Sequence, residues 1–427
     1  MIHEPDHRIP SCSGRWRGVA GLGVLFGLVL GASAQPAYEV PPAALQASAI
    51  LPPDVLRGPH HQVAEEVVND GYVNHYRLSS PVGAFTAVST AALRIRILEI
   101  NALVAMGQVE GTAEFAASFE ASAKRNIQGI KNLVTQPVDT VQGAVSGVAR
   151  LFDRANESLV GSTRSNAEGS RWQDVVGYAK AKREVAHQFG VDVYSSNPVL
   201  QEHLSKIAQA NYWGGLSVGA VTALVPGAPG MFLTVTGTSR LLNDVIATTP
   251  PTDLRRMNRE KLRAMGVDAG VADLYIDNPV FTPRQQTILV AALDELRGTA
   301  DRGVFVRLAV SSTEPDLAFF RQRMAEMYAG YARNVEPISR FVPVGSSFVF
   351  ARTSKGGLVV CMPLDHLLWT EAVSRVASAV GNRARDLGVS RKHLWLTGTA
   401  SQLTREQLGQ QGWTIHEQSE TQLWARP

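Results

Sequence analysis

Cysteine is almost missing from this chain: there are two in 427 residues, and Cys12 falls in the N-terminal segment, which leaves Cys361 alone. A single thiol closes no internal disulfide, so the fold must be held by burial. An excess of charge of one sign is lacking as well, since 41 Lys and Arg stand against 38 Asp and Glu for a formal net charge of +3. Phosphate binding needs clustered positive charge, and no basic block is present, so nucleic acid is excluded as a partner. Metal-ligand spacing is also wanting. His60, His61 and His75 precede the helical region with no carboxylate or second histidine at helical ligand spacing, and they are expected to be surface positions. His187 and His203 show no recognisable partner either, and no metal or cofactor is assigned.

What is present begins with an address. Arg15 and Arg17 precede an uncharged, mostly apolar run from Gly18 to Leu30, and Ala32-Ser33-Ala34 supplies small residues of the kind a signal peptidase needs. Residues 1–34 therefore read as a signal peptide cleaved near Ala34, and the protein is expected in the periplasm or associated with the outer membrane. The apolar core is short for a spanning anchor. The hydrophobic fraction of 45% allows a buried core and rules out wholesale disorder.

Patterning along the chain predicts an α+β protein. Residues 35–59, rich in Pro and Ala, read as a loosely packed leader. Alternation of Tyr72, Asn74, Tyr76 and Leu78, then Ser79-Ser80-Pro81-Val82-Gly83, predicts a β-hairpin between Gly71 and Thr90. Helical spacing starts at Ala91 and continues to about Arg297, so residues 60–300 form an expected hairpin-plus-helical domain. Two stretches echo each other: Gly190 to Asn197-Pro198, and Gly266 to Asn278-Pro279. Each reads as a helix ending at glycine followed by a helix starting at Asn-Pro. Residues 301–427 form a smaller expected α/β domain. Its strands are placed at Val304–Val310, Ile338–Val344, Ser347–Arg352, Leu358–Met362, Leu394–Thr397 and Trp413–Glu417, with helices at Asp316–Asn334, His366–Leu387 and Gln402–Gln411.

Three features bear on function. Between Lys206 and Arg240 no residue is charged, and Pro226 to Gly230 break the stretch into a helical hairpin. It is either buried or laid against a protein partner or membrane surface, with Tyr212, Trp213, Val221, Leu224 and Phe232 as contacts. A companion segment, Pro137 to Phe152, has Gly143 and Gly147 spaced for close helix approach. Second, polar residues cluster where C-terminal strands would end: Ser312, Asp365, His366, Thr399 and Ser401. In open parallel sheets ligands bind beyond the carboxyl ends of strands, and amides after Gly398 would then be free to hold an anion. The same residue types cap helices: Thr313 with Asp316, Asp365 after Pro363, and Thr399 or Ser401 before the last helix. Third, Cys361 or a serine beside His366 and Asp365 suggests nucleophilic chemistry. Adjacent residues point in different directions, however, so Asp365 is badly placed to orient His366, and Cys361 in an apolar strand is expected to be buried and inert. The leading expectation is a non-enzymatic envelope protein that binds a partner or membrane surface. The alternative is a periplasmic hydrolase-like enzyme or small-ligand-binding module working at the strand ends. N-terminal sequencing of protein recovered from the cell envelope is expected to start at Gln35, and intact Met1 protein confined to the cytosol would overturn the export reading.

Overall fold

The computed structural model describes residues 38–125, 146–153, 172–215 and 240–424. The chain enters through β1 (Ala43–Gln46), α1 (Ala47–Ile50), α2 (Pro53–Leu56), β2 (Arg57–Gly58), β3 (His61–Val63) and β4 (Glu66–Asn69), then the hairpin β5 (Asn74–Ser80) and β6 (Gly83–Val88). These six strands form one antiparallel sheet in the order β1-β4-β5-β3-β2, with β6 also on β5. Along β5, Asn74, Tyr76 and Leu78 turn inward while Arg77 and Ser79 face out, the period-two pattern that made the hairpin readable. The leader differs from expectation. Pro53 occupies the first turn of α2, where its fixed φ favours a helix start, and Ala47, Leu51 and Val55 are thereby buried against Tyr76, Leu78 and Leu93.

A long helix α3 (Thr90–Glu110) follows, capped by Ser89, whose hydroxyl accepts the Ala92 amide at 3.2 Å. Next come α4 (Ala113–Arg125), α5 (Gly147–Asp153), α6 (Trp172–Gln188) and α7 (Pro198–Gly214). Leu103, Met106, Phe115, Val185, Phe189 and Leu204 join α3, α4, α6 and α7 in one apolar cluster. At the first echoed corner Gly190 is left-handed and Asn197 caps α7. After α8 (Arg240–Thr248), α9 (Pro251–Ala264) and α10 (Ala269–Ile276), the second copy behaves differently. Gly266 is again left-handed, but Asn278 bonds the carbonyls of Val310 and Ser312, and α11 (Pro283–Glu295) starts only after the Thr282 cap.

The remaining elements are α12 (Arg302–Val310), α13 (Pro315–Asn334), β7 (Ile338–Val344), β8 (Phe348–Thr353), β9 (Leu358–Met362), β10 (His366–Leu367), α14 (Glu371–Asp386), β11 (Lys392–Leu396), β12 (Thr399–Ala400), α15 (Gln402–Gln410), β13 (Trp413–His416) and α16 (Glu420–Trp424). The expected strand at Val304–Val310 is a helix. Its valines favour a strand only as a weak prior, and burial of Phe305, Val306, Leu308 and Ala309 on a helical face overrides them. The helix expected from His366 starts at Glu371, because His366 and Leu367 pair with Thr399 and Ala400 and Thr370 supplies the cap. A five-stranded sheet runs β13-β11-β9-β8-β7, parallel across β13, β11 and β9 and antiparallel across β9, β8 and β7. The protein is thus of the α+β class. Its largest core runs across the expected boundary at residue 300, holding Leu289, Leu293 and Leu296 together with Phe305, Tyr328 and Val359.

No helix among the described residues is long and apolar enough to cross a membrane. Helix α16 rests on α13 at Gly330, where an added Cβ would lie 2.2 Å from the Leu423 carbonyl oxygen. Asn334 secures the same contact by donating to that oxygen at 3.0 Å. Gly330→Ala is expected to cost about 1–3 kcal/mol by overpacking, read as a lowered thermal midpoint.

Candidate functional site

Strands β9, β11 and β13 end at one level, with Leu396 beside Met362 and His416 beside Trp395. Their exits, Pro363 to His366, Thr397 to Thr399, and Gln418, border a cavity of about 560 Å³. The rest of the lining comes from Asn74 and Tyr76 of β5 and Thr90 and Arg94 of α3, in the N-terminal part of the chain, and from Phe320 and Arg323 of α13. This is the position at which open parallel sheets bind ligands.

The strand exits are laced to one another. Gly398 donates to the Leu364 carbonyl at 2.8 Å and Thr399 to that of Asp365 at 2.9 Å, while the Thr397 hydroxyl donates to Leu364 at 2.9 Å. Glycine is required at 398, since a Cβ there would lie 1.9 Å from the Asp365 carbonyl oxygen. These bonds consume the amides expected to hold an anion. Ala400 and Ser401 are committed too, to the Glu417 carboxylate and the Leu367 carbonyl.

Asp365 accepts the amide of Asn74 at 2.8 Å and that of Thr90 at 3.0 and 3.1 Å. It therefore caps α3 from across the molecule rather than the helix that follows it in sequence. Burial pushes its carboxyl up to about 6, against the pull of the amide donors. His366 is half-buried, and its Nδ1 lies 2.7 Å from the Thr399 hydroxyl. Burial lowers its pKa, so the imidazole on the cavity wall is neutral at pH 7. Arg94 and Arg323 both reach the Glu420 carboxylate, at 2.9 and 3.4 Å, and the Arg323 guanidinium lies 3.9 Å from the centroid of the Trp424 ring.

Of the five strand-end residues, Asp365, His366 and Thr399 meet at this cavity. Ser312 does not line it. It follows helix α12, and its carbonyl accepts from Asn278. Ser401 lies behind the wall, where it caps α15 through Thr404 at 3.0 Å and donates to Glu39. The Thr313 cap is not formed; Asp316 instead accepts the amides of Gly147 and Leu317. Asp365 serves amides rather than the imidazole, and burial pushes the Cys361 thiol far up, so neither supports a triad. The expectation that the chain carries no Gly-Xaa-Ser-Xaa-Gly elbow is corrected by Gly215-Leu216-Ser217-Val218-Gly219, which has that spacing. An elbow joins strand to helix, whereas Gly215 closes α7 in the left-handed conformation, and Ser217 lies outside the described residues.

Tyr212 is 40% exposed and Trp213 stacks on Tyr178 with centroids 5.2 Å apart, while Val221, Leu224 and Phe232 lie outside the described residues. The histidines are better partnered than expected. His61 is buried with Nε2 3.0 Å from the Val55 carbonyl, His75 meets Asp70 at 3.2 Å, His187 Asp244 at 3.7 Å and His203 Glu110 at 2.6 Å. The partners of His61 and His75, six and five residues away, follow no helical ligand spacing, and those of His187 and His203 are remote in sequence and left no spacing to read. Arg94 and Glu420 were missed for the same reason. Among the described residues no group of three or more His, Cys, Asp or Glu is placed to hold a metal ion. No family model, curated protein or solved structure matches the chain.

Because the folded pKa of Asp365 is raised from 3.8 to about 6, its contribution to stability is full below about pH 4 and is lost as pH rises through 6. Asn at this position does not titrate. The stability of Asp365→Asn relative to wild type is therefore expected to rise by up to about 3 kcal/mol between pH 4 and pH 7, measured by denaturant unfolding at each pH.

Proposed function

We propose that the protein is an exported module that binds a small, uncharged polar molecule in the cavity at the ends of β9, β11 and β13. The observation that carries this reading is the meeting of all three parallel strand ends on one cavity whose volume suits a small ligand. The lining sets apolar surface from Val88, Phe319 and Phe320 beside a polar side that includes Asn74, His366, Thr397 and Thr399, so a ligand with both kinds of surface is accommodated. Its arginines are paired, since Arg94 and Arg323 share Glu420 and Arg405 is held by Glu417, while the Asp316 and Asp365 carboxylates accept backbone amides. An anionic ligand would have to draw an arginine away from its carboxylate, whereas a neutral polar one need not. His366, fixed by Thr399 and uncharged, is suited to act as a hydrogen-bonding contact for that ligand. Export rests on the pattern of residues 1–34.

A thermal-shift screen of sugars, polyols, amides and small carboxylates tests the reading. Neutral polar compounds are expected to raise the melting temperature of wild type, and His366→Leu is expected to lose that shift while keeping its fold. Stabilisation by carboxylates alone, or an undiminished shift in His366→Leu, would sink it. Chemical conversion of the stabilising compound, followed by mass spectrometry, would replace binding with catalysis.

A further inference from the structure

Away from the cavity, at the β13 edge of the five-stranded sheet, two histidines from adjacent parallel strands face each other. His393 Nδ1 lies 3.1 Å from His416 Nε2, with ring centroids 5.4 Å apart. Trp395 is stacked on His416, at 4.1 Å between centroids and 11° between planes. Both histidines sit on strands whose register is set by the ladder Lys392–Trp395 against Trp413–His416. Neither is paired with a carboxylate, unlike His75, His187 and His203.

We propose that His393 and His416 form a two-histidine site for a borderline divalent transition-metal ion, Cu²⁺ foremost. Imidazole nitrogen suits Cu, Ni and Zn, and among divalent ions of the first row copper binds most tightly. With bonds of about 2.0–2.1 Å, two nitrogens 3.1 Å apart subtend roughly 100° at the ion, between tetrahedral and square-planar values. The rings need only turn about their terminal torsions, which are soft for histidine. Water completes the coordination. Burial lowers the pKa of both rings, with Arg391 adding to the effect at His393 and the other imidazole at His416, while Glu336 opposes it at His393. Burial thus favours the uncharged form of the rings, which is the one that ligates a metal. One ring now donates its proton to the other; on metal binding that ring changes tautomer, so no net proton need be released.

The test uses tag-free protein beginning at Gln35, the expected mature start, titrated with CuSO₄ at pH 7.5. Cu²⁺ bound to His416 would lie near the indole of Trp395, so saturable quenching of tryptophan fluorescence at one ion per chain is expected. His393→Gln and His416→Gln are each expected to weaken the midpoint by about tenfold or more, whereas His187→Gln leaves it unchanged. An unchanged midpoint in folded His393→Gln would overturn the site. Should either variant lose its fold by circular dichroism, electron paramagnetic resonance of the copper-loaded wild type decides: two imidazole nitrogens support the proposal, one or none refutes it.

Discussion

The carboxylate of Asp365 is the joint on which the cavity depends. It leaves the end of β9 and takes the amides of Asn74 and Thr90, so it ties the C-terminal sheet to both the N-terminal sheet and the first turn of α3. Hydrogen bonds to a charged group contribute about 1.5–3 kcal/mol each, and a helix N-terminus further favours an anion. Desolvation still wins, as the raised pKa shows. The joint is therefore held by geometry as much as by charge. Neighbouring backbone bonds share the load: Asp365 and His366 both donate to the Tyr72 carbonyl, Leu368 donates to Gly71, and Glu39 exchanges bonds with Trp369.

Once this joint is closed, the two walls of the cavity face each other and their polar groups are disposed of in pairs. Tyr76 and Thr90 share a hydrogen bond at 2.7 Å, and Asn74 donates to the Tyr76 hydroxyl at 2.9 Å, which stiffens the wall built by β5. Across the space, α16 brings Glu420 to Arg94 and Arg323. That helix is short, and it is seated by its contact with Gly330 of α13. The architecture of the site is thus distributed along the described residues, from Leu45 to Thr421.

That distribution decided what could be read from the sequence. The hairpin from Asn74 to Val88, the Asn197 cap, the long helix ending at Asn334 and the meander from Ile338 to Met362 all rest on spacing between near neighbours, and local rules recovered them. The segment Arg302–Val310 defeated those rules, since Phe305 packs on Tyr328 and Phe341 and buries Val306, Leu308 and Ala309 with it as a helix despite the β-branched residues. The leader failed in the opposite sense. Its prolines suggested a loose chain, but Val55 and Leu51 had a sheet to cover.

For the site, residue types that suit strand ends were enough to pick out Asp365, His366 and Thr399. They could not exclude Ser312, whose assignment hung on a strand that is a helix. The partners that give these residues their chemistry, Asn74, Thr90, Arg94 and Glu420, stand hundreds of positions away or at the far end of the chain, and no periodicity links them. Local spacing determined most of the elements, and composition alone fixed the scarcity of cysteine and the balanced charge. Only the tertiary structure decided which carboxylate caps which helix and where the strand ends meet, because both follow from long-range burial, which satisfies polar groups with whichever partner the packing brings near.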